Sequence, residues 1–223
     1  MSQQKFFFIL ASFLLLLVTS GCRRDFSEIV LDDTCKPPCW RNYQIGMSTE
    51  EVLNKTLESN DYRIRYEEFN ETTASVIIDN GNQGEITLRL DHGKLRGVRF
   101  GSFKGFWASS EDAFSYYGEP DYVLGHYLSG VFGGSSIFFC YTKQGVMLKS
   151  EFKMLNDQPS QNYPLTEKTK IVEILYYDVD NIPWSYNVYP CLKPTSKDYV
   201  STDWHGYGEY STCDPEEHNW CDR

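Results

Sequence analysis

Trp107-Ala108-Ser109-Ser110-Glu111-Asp112-Ala113-Phe114-Ser115-Tyr116-Tyr117-Gly118-Glu119-Pro120-Asp121-Tyr122-Val123-Leu124-Gly125-His126-Tyr127 spells a capped helix, a stop and the start of a strand. Ser109 or Ser110 can cap the first turn, and Glu111 and Asp112 suit its positive end. Ala113, Phe114 and Tyr117 share one face. Gly118 offers the left-handed stop and Pro120 forbids continuation. A weaker copy precedes it: in Gly46-Met47-Ser48-Thr49-Glu50-Glu51-Val52-Leu53-Asn54-Lys55-Thr56-Leu57, Ser48 and Glu51 form a capping box. Val52, Leu53 and Leu57 are its expected apolar stripe.

Runs of strands follow each helix. After the first come Tyr62 to Tyr66, Thr73 to Asp79, Glu85 to Leu90 and Leu95 to Phe100, separated by Gly-rich and Asn-rich turns. After the second come Tyr122 to Leu124, Ser136 to Tyr141, Val146 to Phe152 and Ile171 to Tyr177. The pattern predicts an α+β chain of two tandem helix-plus-antiparallel-sheet units with a disulfide-held aromatic C-terminal tail. The expected divisions are a signal peptide at 1–21, a tether with a Cys-Pro-Pro-Cys-type lead-in at 22–42, a first unit at 43–106, a second at 107–180, and the tail at 181–223.

The amino end supplies the address. Lys5 precedes an apolar run from Phe6 to Val18, which reads as a secretory signal, short for a bilayer-spanning helix. Thr19-Ser20-Gly21-Cys22 resembles the lipobox of bacterial lipoproteins, with Thr19 in place of the usual Leu, Val or Ile. The resemblance implies that Cys22 carries acyl chains such as palmitate and anchors the protein to the extracytoplasmic side of a membrane of the cell envelope. The alternative is ordinary signal cleavage, with Cys22 left as a disulfide partner.

The 223 residues carry 21 Lys and Arg against 31 Asp and Glu, net −10, and loss of Lys5 with the signal makes the balance one unit more negative. An acidic chain has no electrostatic footprint for nucleic acid. Beyond Cys22 the cysteines are Cys35, Cys39, Cys140, Cys191, Cys213 and Cys221, all disulfide candidates whose pairing is open. Cys35 and Cys39 could be a redox pair, but the proline pair between them favours a structural staple. Cys213, His218 and Cys221 match no common zinc spacing, so disulfides are favoured over a metal, and no cofactor is expected.

Gly46-Met47-Ser48-Thr49-Glu50-Glu51-Val52-Leu53 and Tyr117-Gly118-Glu119-Pro120 resemble the G-M-T-x-x-x-V and L-G-x-P elements of one exported α+β family. It includes the small lipoproteins of the outer-membrane β-barrel assembly machinery and the tandem β-lactamase inhibitory proteins. The glycine-x-proline element is missing after Leu57. The resemblance implies a helical layer on an antiparallel sheet, used for binding proteins and carrying no catalytic residues.

No phosphate loop, nucleophile elbow or paired-histidine metal motif occurs. His92, His126, His205 and His218 are scattered, and Asp178-Val179-Asp180 lacks the spacing of a calcium loop. Trp184, Trp204, Tyr207 and Trp220 are the binding aromatics the tail offers, against the alternative that they pack as a lid. The expected function is therefore a non-catalytic, lipid-anchored protein-binding or envelope-assembly module. A carbohydrate-binding surface protein is the alternative, and an unrecognised hydrolase the more distant one.

Overall fold

The helix starts form as their residues dictate. In a computed structural model, described at residues 35–58, 63–68, 72–79, 85–101, 108–128, 134–153, 162–180, 191 and 199–212, helix α1 spans Thr49–Glu58 and α2 spans Ser110–Tyr117. The Ser109 hydroxyl accepts the Asp112 N–H at 3.1 Å, and the Asp112 carboxylate reaches back to the Ser109 N–H at 3.4 Å. Ser109 is the cap, because the buried Ser110 gives its hydroxyl to the Thr166 carbonyl at 2.6 Å. Gly118, at φ 82, closes α2 by donating its N–H to Phe114. On α1, Glu51 accepts from both the N–H and the hydroxyl of Ser48 (2.9 and 2.6 Å), and these bonds hold its carboxyl below the ordinary value.

The stripe expected on α1 packs only in part. Val52 and Thr56 are buried, while Leu57 is 73% exposed. Thr56 is accepted in the core because its hydroxyl has partners: the Val52 carbonyl at 2.6 Å and the Tyr43 hydroxyl at 3.0 Å.

The strands are β1 (Cys39–Trp40), β2 (Tyr43–Gln44), β3 (Arg63–Glu68), β4 (Thr73–Asp79), β5 (Glu85–Asp91), β6 (Lys94–Gly101), β7 (Ala108–Ser109) and β8 (Tyr122–Leu128). They continue with β9 (Gly134–Tyr141), β10 (Val146–Lys153), β11 (Asn162–Leu165), β12 (Lys170–Ile171), β13 (Glu173–Tyr177), β14 (Tyr199–Asp203) and β15 (Gly208–Ser211). Nine of them make one sheet in the order β14-β8-β9-β10-β13-β6-β5-β4-β3, antiparallel at every step.

This corrects the expected fold class. The chain is mostly β, built on one large antiparallel sheet, and is not a pair of α+β units. Two physical reasons explain it. Strands β6 and β13 pair from Gly101↔Glu173 to Gly97↔Tyr177, so edges that two separate units would leave bare satisfy each other. The helices, at 10 and 8 residues, are about 15 and 12 Å long. They cannot roof nine strands spanning roughly 38 Å.

One face of the sheet presents Val76, Leu88, Val98, Phe100, Tyr176 and Phe139, all buried. It is covered by Trp40 and Tyr43 of the β1–β2 hairpin and by Val52, Ala113 and Tyr117 of the helices. Trp40 meets Phe100 edge-on at 5.4 Å, Phe100 meets Tyr176 likewise, and the Tyr117 and Tyr176 hydroxyls are 2.8 Å apart. The tail crosses this face closely: a Cβ on Gly125 would lie 2.0 Å from the Ser211 carbonyl oxygen, so only glycine fits.

The other face is divided. Over β8, β9, β10 and β13 it carries an apolar cluster of Leu124, Phe138, Cys140, Met147, Leu175 and Tyr177, closed by Cys191. The Cys140–Cys191 disulfide and a hydrogen bond from the Tyr122 hydroxyl to the Cys191 carbonyl hold residue 191 there. Over β6, β5, β4 and β3 the same face carries Arg99, Thr87, Arg89, Ser75, Glu85 and Arg65. Arg99 grips the Glu173 carboxylate through two bonds of 2.8 and 3.0 Å. The tail is no appendage, since β14 forms the sheet edge beside β8 and β15 pairs with β11.

Candidate functional site

Two surface features stand on this frame. The first is aromatic. Phe114 projects from α2 and meets Phe139 of the sheet and Trp204 of the tail edge-on, each at 5.0 Å, with Tyr207 at 6.0 Å. Trp204 has one face stacked on Tyr210 at 6.1 Å, and Tyr210 stacks in turn on His205 at 4.2 Å. The Tyr210 hydroxyl donates to the Gly206 carbonyl at 2.8 Å, which fixes the turn that carries Tyr207. Tyr207 is 41% exposed. Burial raises its pKa, with the neighbouring Ser110 hydroxyl acting the other way. The group is a rigid aromatic cluster with one wet tyrosine.

The second is a concavity of about 440 Å³ beside the β1–β2 hairpin. It arises from an irregularity between β5 and β6. Arg89 pairs with Gly97 and Leu90 with Leu95, so Arg96 is the extra, bulged residue. Bulges re-aim side chains, and here Arg96 Nη1 reaches Asp178 Oδ2 at 2.6 Å. The Asp178 N–H returns a bond to the Arg96 carbonyl at 3.0 Å, and Asp178 Oδ1 accepts from the Asp180 N–H at 3.0 Å. Lys36, Lys94 and Lys143 stand exposed around it. The Cys35–Cys39 disulfide closes the loop that carries Lys36.

The binding aromatics expected from sequence are split. Trp204 and Tyr207 come together on α2, whereas Trp184 and Trp220 lie outside the described residues. Cys35, Cys39, Cys140 and Cys191 form two disulfides. Cys22, Cys213 and Cys221 lie outside the described residues, as does His218. Disulfides of this kind belong to an oxidising, extracytoplasmic compartment. His92 sits exposed in the β5–β6 turn, 2.9 Å from Asp91, and His126 stacks on Tyr199. Among the described residues no cluster of His, Cys, Asp and Glu could hold a metal ion, and no helix is long and apolar enough to cross a membrane. In the sequence Lys94 and Lys143 are legible only as turn residues and Arg96 only as a strand residue. The polar turns at Asp91-His92-Gly93-Lys94 and Lys143-Gln144-Gly145 were visible; their convergence depends on the β6–β13 pairing, which was not.

Comparison with protein families, with curated proteins and with solved structures finds no match for this chain.

Proposed function

We propose that the protein is exported, fastened through lipid on Cys22 to the outer side of a bacterial membrane, and acts there as a non-catalytic protein-binding or envelope-assembly module. The observation that carries this reading is the Phe114–Trp204–Tyr207 cluster. Tyrosine set on a rigid aromatic bed presents apolar area with a polar tip and little rotamer entropy left to lose, the character of protein-contact hot spots. Trp204, with one face on Tyr210 and its edges against Phe114 and Phe139, is poorly disposed as a sugar-stacking platform. That ranks a protein partner above a glycan.

The test replaces Tyr207 with a photo-crosslinking benzoylphenylalanine in the full-length chain expressed in bacterial cells, with exposed Glu58 as the control position. A discrete adduct with one envelope protein from position 207 and none from position 58 supports the reading. Identical patterns from both positions, or none, would sink it. Tryptophan fluorescence that responds to wall glycans and is lost in Tyr207→Ala would transfer the site to carbohydrate. Metabolic labelling with palmitate, abolished by Cys22→Ala, checks the tether.

A further inference from the structure

We propose that the concavity at the Arg96 bulge binds a small organic oxyanion, a carboxylate or a phosphate ester. In a chain of net charge −10, four cations, Lys36, Lys94, Arg96 and Lys143, line this one hollow against two carboxylates, Asp178 and Asp180. Asp178 is engaged by Arg96 and by the Asp180 N–H, so three exposed lysines face one further lining carboxylate, Asp180, with Asp121 beside Lys143 at the rim. A local positive focus on an acidic surface collects anions that the rest of the molecule repels.

The floor of the hollow is built at a cost. Arg96 occupies a bulge, and its Nε–H is buried without a hydrogen-bond acceptor among the described residues. An unsatisfied buried donor of this kind is destabilising. The guanidinium nonetheless stays put, fixed by Asp178. The turn beside it is equally constrained: Gly145 has φ 63, and a Cβ there would stand 2.5 Å from the Tyr177 carbonyl oxygen. The lysines therefore rise from a rigid rim, the condition for preorganised binding. The volume, about 440 Å³, falls within the range of roughly 300–1,000 Å³ of small-molecule sites. It far exceeds what a bare inorganic ion fills, and Ile45, Pro38 and the exposed Val179 give an organic body apolar contact.

The experiment titrates the full-length chain with succinate, glycerol 3-phosphate, inorganic phosphate and neutral glycerol, following backbone amide resonances. Saturable, salt-sensitive shifts at Lys94, Arg96, Gly145 and Asp178 with succinate or glycerol 3-phosphate are expected, and the tighter of the two identifies the head group. Lys94→Gln with Lys143→Gln should weaken binding about tenfold or more. Lys94→Arg with Lys143→Arg should preserve it, and neither pair should move the unfolding midpoint, since both side chains are exposed. Equal response to glycerol, no saturable response to either organic anion, response to inorganic phosphate alone, or affinity unchanged in the glutamine pair would each overturn the proposal. The result is independent of the aromatic cluster, whose partner binding the Tyr207 experiment reads.

Discussion

The second face of the sheet is two surfaces sharing one set of strands. Leu175, Arg99 and Thr87 stand in register across β13, β6 and β5, yet the first lies in a dry cluster and the others in a polar field. On the dry side Cys191 is held over the strands by its bond to Cys140, and both faces of those strands are buried. The residues follow: Ile137-Phe138-Phe139-Cys140-Tyr141 and Ile174-Leu175-Tyr176-Tyr177 are unbroken apolar runs, with every member buried. On the polar side, Glu85 to Leu90 alternates, and its polar set makes ion pairs and hydrogen bonds instead. Unbroken runs therefore report apolar cover on both faces, and alternation reports an apolar face backed by a polar one, on which Thr87 and Ser75 are nonetheless buried. A continuous sheet can hold both conditions.

The largest test of this contrast is alkali. Burial pushes the phenols of Tyr117, Tyr141, Tyr176 and Tyr177 well above the ordinary range, and all four lie on or over the strands of the dry half. Their neutral forms are favoured in the folded state, so the stability they contribute is complete below pH ~10. It is lost above that value at about 1.4 kcal/mol per pH unit for each such group, because only the unfolded chain ionises. Phenolate absorbance from these rings should appear in one cooperative step with loss of near-ultraviolet dichroism. A gradual rise in a still-folded protein, larger than exposed tyrosines such as Tyr66, Tyr116 and Tyr207 supply, would show the dry half to be wet.

Leu175→Ala should cost about 2–5 kcal/mol in urea unfolding. Removing the tail clamp with Cys140→Ser and Cys191→Ser should cost about 2–4 kcal/mol, mainly by freeing the unfolded chain, and should bring Met147 within reach of oxidants. In the polar half the expected losses shrink. Glu173→Gln loosens the paired grip of Arg99, whose side chain is 31% exposed, for about 1–2 kcal/mol that declines with added salt. Leu57→Ala should change stability by less than ~0.5 kcal/mol, since the side chain is largely in water. A loss of several kcal/mol there would mean that Leu57 is covered in solution.

Local structure was largely legible in the residues. Ser48 with Glu51, Ser109 with Asp112, and Gly118 each act where their chemistry places them, and the longer strands between Arg63 and Tyr177 form where the apolar patterns and turns put them, whereas the short β7 and β11 carry no such pattern. What misled was assembly. Nothing within Leu95 to Phe100 or Ile171 to Tyr177 announces that these two strands will pair with each other, because that choice is made between distant edges. Leu57 and Thr56 exchanged roles because the Tyr43 hydroxyl, brought over α1 by the hairpin, rewards a polar partner. Tyr199 to Asp203 lacks apolar alternation, so its place as an edge strand was hidden. The Arg96 bulge is a count of residues between two strands, visible only once their register is known.

The position of β14 has a consequence for how such a chain comes to rest. A polypeptide threaded amino end first through a membrane delivers β8 long before residues 199–203 arrive to flank it. In that interval the Val123 and Leu124 margin stays open to any neighbouring strand, in its own chain or another. The window of aggregation risk is thus set by the time it takes the last segments to cross, and a holding chaperone that shields this margin would act at the moment of greatest need.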